Sequence, residues 1–112
     1  MQPAAHDVID ALTHDKTPPD GPHPDKQYHF GGGVVITEFR LPKGGMVKQH
    51  AHSYEHLSVL VSGHVTVYTE LGQHDHYGHS VLTIPANIAH AVYAHDDSVW
   101  LCVHSENLPK GA

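Results

Sequence analysis

A chain of 112 residues is one domain long, with room for a hydrophobic core and little to spare. Apolar residues make up 39% and charged residues 16%, a balance that excludes a largely disordered chain. A net charge of −6, with six scattered Lys and Arg, argues against nucleic-acid binding.

No run approaches the roughly 18 apolar residues of a membrane span, so no membrane partner is expected. The single Cys102 excludes an intrachain disulfide framework and suits a reducing compartment. MQPAAHDVIDALTHD lacks the basic start and apolar run of a secretory signal, so the expected location is cytoplasmic. Histidine is the anomaly. Fourteen of them run from His6 to His104, which raises metal binding above its usual expectation.

In chain order, residues 1–27 read as a proline-rich N-terminal arm and 28–112 as the main domain. Val8, Ile9 and Leu12 share one face of a short helix predicted over 4–13. TPPDGPHPD (17–25), with four prolines in nine residues, excludes regular helix or sheet and predicts an arm lying over the domain or a partner subunit. His6, His14 and His23 read as solvated. From residue 34 the texture is all-β. VVITEFRL (34–41) alternates, PKGG (42–45) turns, and MVKQHAH (46–52) and EHLSVLV (55–61) follow as strands around Ser53-Tyr54. HVTVYTE (64–70) leads to a hairpin tip and return at LGQHDHYGH (71–79), where His74 and His76 read as a polar surface pair. SVLTIP (80–85), AHAVYA (89–94) and SVWLCVH (98–104) complete a sandwich or barrel. His64, His79 and His95 are expected to face solvent at turns.

His50 and His52 flank Ala51, so on a strand both imidazoles point the same way. A turn brings His56 back alongside them, and a distant strand can supply a fourth group. These residues carry a resemblance. GGMVKQHAHSYEHLSVLVSG (44–63) resembles the first cupin motif, Gly-x5-His-x-His-x3-Glu-x6-Gly, with Gly44, His50, His52, position 56 and Gly63 in step. IPANIAHAV (84–92) resembles the second, Pro-x-Gly-x2-His, with Pro85, Asn87 in the glycine place, and His90. The resemblance covers about residues 30–105. It implies a double-stranded β-helix, the cupin jelly-roll barrel, with an ion held inside by His50, His52, His56 and His90, and it suggests a homodimer. Exposed sheet edges and the polar arm point the same way.

The sequence departs from the pattern in three places. His56 stands where the family has Glu, with Glu55 one residue early; Gly78 lies one residue too far from Pro85; and Ala94 replaces an Asn. The first changes the chemistry, because four neutral imidazoles leave the full dipositive charge on the metal. Such a set suits Mn, Fe, Co, Ni, Cu or Zn rather than Mg or Ca. Two open positions on an octahedral ion suit a small organic molecule, alone or with dioxygen. The sequence therefore points to a metal-dependent dioxygenase or oxidoreductase, with Tyr54, Glu55 and His104 as candidate catalytic residues. The alternative is a non-catalytic module that binds or senses a small ligand or metal. Trp100, Cys102 and His104 share a face of the last strand, and Phe39, Met46, Tyr54 and Tyr93 are candidate pocket walls.

Overall fold

The alternation of apolar and polar residues after Val34 leaves each strand with one face to bury, and two sheets packed together bury them all. The computed structural model describes residues 2–14, 22, 24–49 and 51–105; His50 and His23 therefore lie outside the described residues. One helix, α1 (Ala5–Thr13), precedes nine strands. These are β1 (Asp25–Gly31), β2 (Val34–Leu41), β3 (Met46–Gln49), β4 (His56–Ser62), β5 (His64–Thr69), β6 (Gly72–Tyr77), β7 (Ser80–Ile84), β8 (His90–Ala94) and β9 (Ser98–Ser105). They form a five-stranded sheet ordered β1-β2-β9-β4-β7 and a four-stranded sheet ordered β3-β8-β5-β6. Every pairing is antiparallel, as a jelly roll requires.

The core lies between the sheets. Phe39, Leu41, Leu60, Trp100 and Cys102 from the larger sheet meet Val47, Val65, Val67, Val92 and Ala94 from the smaller. Burying ten such side chains is the main favourable term in holding the sheets together. Two glycines of the first motif have backbone reasons to be there. Gly44 sits at φ +85°, and its N–H donates to the Ala94 carbonyl at 2.8 Å, tying the turn between β2 and β3 to the end of β8. Gly63 sits at φ +101° between β4 and β5, where a Cβ would run into the Ser98 side chain and lie 2.7 Å from the Asp97 carbonyl.

α1 folds back over the outer face of the four-stranded sheet. Val8 and Leu12 pack on Tyr68, Ala91 and Tyr93, and the Gln2 amide donates to the Tyr68 hydroxyl at 2.7 Å. This explains β8, where all five residues are buried: one face meets the core, the other meets the helix.

Several sequence expectations change. β1 starts at Asp25, ahead of the expected domain boundary at 28, and its seven residues are all exposed. β3 stops at Gln49, so Ala51 and His52 lie in the connection to β4 and not on a strand. Met46 and Tyr93 pack beside the helix, on the side away from the barrel interior, and are not pocket walls. His74 and His76 lie within β6 and not at the hairpin tip. His64 and His95 are half-buried against each other rather than turned to solvent, while His79 is exposed. No helix among the described residues is long and apolar enough to cross a membrane.

Candidate metal centre

Strand ends bring the inner histidines together. His56 opens β4 opposite Ile84, His90 opens β8 opposite Gln49 and Thr69, and His104 lies near the end of β9 opposite Val35. His52 reaches the same place from the loop after β3. The His56 ring lies 4.8 Å from His104, 5.8 Å from His90 and 5.9 Å from His52, centroid to centroid. Tyr54 stacks on His52 at 5.1 Å and 17°, and meets His104 edge-on at 5.8 Å. His56 and His90 are buried; His52, Tyr54 and His104 are half-buried and form the mouth. Glu55 is exposed, whereas the next residue, His56, is buried.

The loop holding His52 is tied to the second motif by one bond. The Asn87 N–H donates to the His52 carbonyl at 2.6 Å. Asn87 takes φ +64°, a left-handed conformation that Asn tolerates better than other side-chain-bearing residues, so it fills the family's glycine place at small cost. Three residues later the chain enters β8 at His90.

The electrostatics favour neutral rings. Burial, with the neighbouring His104 and His52, pushes His56 down to about 4. Burial also pushes His90 down to about 4, helped by His56 and His52 and weakly opposed by the Ile88 backbone. His104 is lowered by burial and by His52. Burial raises Tyr54, with nearby Cys102 adding to the effect, so its hydroxyl stays protonated near neutral pH. Both ring nitrogens of His56 and of His90, and Nδ1 of His104, are buried without a hydrogen bond of good geometry. A neutral imidazole with a free lone pair is the form that binds a transition metal, so these residues fit such an ion.

Beneath the rings lies a polar group that sequence reading missed. The Gln49 amide donates to the Cys102 sulfur at 2.9 Å, and Ser58 Oγ lies 3.8 Å from the same sulfur. Burial raises the Cys102 thiol, which keeps it protonated. The sequence signal was available: Gln49 and Cys102 are both inward positions of their strands, next to His90 and His104.

No family model matches the chain, and no curated protein matches it. Solved structures do. A cupin 2 domain-containing protein from Halorhodospira halophila aligns with a TM-score of 0.68 at 16% identity, covering 79% of this chain and 68% of that one. A cupin domain from Bordetella pertussis aligns at 0.61 and 21% identity, over 78% of this chain and 97% of that one. A conserved protein of unknown function from Streptococcus pyogenes aligns at 0.64 and 20%, over 77% and 76%. The chain has the fold of cupin domains.

Proposed function

We propose that this cupin-fold chain binds one divalent transition metal through His50, His52, His56 and His90, and uses it on a small organic molecule. One observation carries the reading: among the described residues, both buried ring nitrogens of His56 and of His90 lack a hydrogen bond of good geometry, the Ile88 backbone giving His90 only a weak contact. An unsatisfied buried polar group costs about 1–3 kcal/mol, so four such atoms are a large penalty unless something binds there. A bound Mn or Fe supplies oxygen-dependent oxidation or cleavage, whereas Zn, Co, Ni or Cu supplies Lewis acidity or other redox chemistry. Around it, the protonated Tyr54 hydroxyl and His104 face the mouth and are the groups to orient a substrate or hold its proton. Glu55 is exposed and takes no part.

Metal analysis of tag-free protein purified without a nickel column tests the reading. The expected result is a transition metal near one per chain, lost in His56→Ala. A metal-free protein whose melting temperature responds to the six ions no more than that of His56→Ala overturns it. The second reading, a binding or sensing module without turnover, draws support from the exposure of Glu55, which leaves the rings without the usual carboxylate. Tight metal binding with no oxygen uptake across a substrate screen selects it.

We also propose a homodimer through the outer face of the five-stranded sheet. There Leu57 pairs with Val103, Val59 with Leu101 and Val81, and Ile36 with Val103, an apolar stripe bordered by Glu38 opposite Leu101, itself paired with Arg40 and His29. Leu57 and Val81 are 46% and 65% exposed in the single chain. A flat apolar patch can meet its own copy about a two-fold axis with no charge left unpaired. Light scattering is expected to give a dimer, and Leu57→Asp with Val81→Asp a folded monomer; a monomeric native chain refutes the proposal.

A further inference from the structure

On the outer face of the four-stranded sheet, beside α1, three strands bring a second set of metal-binding groups together. His64 opens β5, Asp75 lies in β6, and His95 follows β8. The ladder fixes their places: Thr66 pairs with Asp75 on one side and Tyr93 on the other, and the His95 N–H donates to the His64 carbonyl at 2.9 Å. His64, Asp75 and His95 each present a ligand atom within 4.8 Å of the others'. We propose that they form a second metal site, independent of the inner histidines, that takes a zinc-type divalent ion.

The local chemistry supports this at each residue. His64 Nε2 is buried without a hydrogen bond and lies 3.6 Å from Asp75 Oδ2. That is long for a hydrogen bond, but ligand atoms about 2.0–2.2 Å from a tetrahedral zinc sit roughly 3.4 Å apart. Thr66, itself fully buried, holds the other two groups: its Oγ1 is 2.6 Å from Asp75 Oδ1 and 2.6 Å from His95 Nε2. A carboxylate can only accept, so the one hydroxyl proton goes to Asp75, and His95 Nε2–H donates to Oγ1. His95 Nδ1 then carries the lone pair, while Asp75 keeps Oδ2 free. Asp75 and His95 are thus each anchored through one atom, the arrangement by which metal-binding histidines and carboxylates are usually oriented.

The surroundings pack the two rings tightly, and for both lone pairs to meet one ion in plane, one ring has to turn out of the stack. His64 is sandwiched between Tyr77 at 4.1 Å and His95 at 4.2 Å, both nearly parallel to it, and Tyr93 meets His95 edge-on at 5.1 Å. Burial and the His64 neighbour push His95 down, and the bond from Thr66 holds Asp75 ionised. Two stacked imidazoles beside one carboxylate carry a single negative charge when neutral, half the charge of a divalent ion. Three protein ligands leave a fourth position to water or a small anion, and the 53% exposure of the Asp75 side chain gives the ion a way in.

The test is a titration of the isotope-labelled full chain with zinc ion alone, followed by NMR at each histidine ring and at the Thr66 and Asp75 amides. The expected result is saturable shifts at His64, His95 and Asp75 at micromolar to submillimolar zinc. They persist in His56→Ala and vanish in Asp75→Asn, whose substitution on an exposed edge strand keeps shape and fold. Thr66→Val, which loses the anchor but no ligand, should weaken the outer site about 10- to 100-fold. His64 and His95 signals that stay unmoved by zinc overturn the proposal, as does a shift in Asp75→Asn equal to that of the native chain.

Discussion

The two histidine clusters sit on opposite faces of the same small sheet and solve one electrostatic problem in different ways. Inside the barrel, His56 and His90 are buried with no charged partner and with nitrogens left bare. Outside, His64 and His95 are half-buried, with Asp75 beside them and Thr66 joining the carboxylate to His95. Burial, helped by the neighbouring histidines, keeps His56 and His90 neutral, whereas the outer rings share their site with an anion. The inner set is therefore poised to leave a bound ion strongly positive, and the outer set to neutralise part of its charge.

The largest effect that would sharpen this contrast is His90→Ala. It should abolish the inner metal and the gain in melting temperature linked to it, while the outer ring signals stay as in the native chain. Metal analysis beside a thermal melt reads both. Equal loss at both faces would mean that they are one coupled system.

Acid should come next in size. His56 and His90 sit at about 4 in the folded chain against ~6.5 when unfolded, so the unfolded state takes up protons first as pH falls. Stability of the metal-free chain is then full above pH ~6.5, falls as pH drops from there to about 4, and levels off below. Denaturant melts across that range check it, and a flat profile would place the inner rings in water. With metal bound, protons must bind the folded rings to displace it, so His56 and His90 should release the inner ion only as pH falls to about 4.

Smaller again, His56→Leu should stabilise the metal-free chain by about 1–3 kcal/mol, because it removes two bare nitrogens from an apolar setting. Destabilisation would show that His56 has a partner not accounted for. The smallest effect is at Glu55. Glu55→Gln should leave metal occupancy and melting temperature within error, and metal loss in that variant would shift the register of β4 by one residue.

Much of the inner arrangement was legible because period-two alternation and two spaced motifs constrain the same strands. The offset of three residues from His52 and six to Gly63 puts His56, and not Glu55, on the inward face, where the fold has it. The turns at Gly44 and Gly63 were readable for the same reason. What stayed hidden depends on contacts between distant segments. Strand β1 is exposed along its whole length, so it carries no alternation to read. Met46 and Tyr93 look like interior residues by type, but only the return of α1 decides which side buries them. His64, Asp75 and His95 are eleven and twenty residues apart in sequence and meet only through strand pairing. No local signal marks them.

The bond from Asn87 to the His52 carbonyl also has a consequence in time. It staples the only loop that brings His52 to the mouth onto the segment that leads into His90, so those two rings cannot separate without breaking it. Movement of this loop away from the start of β8 must then wait for this one amide to let go. The rate at which Asn87 exchanges its proton with solvent sets a clock for the mouth, readable without knowing what passes through it.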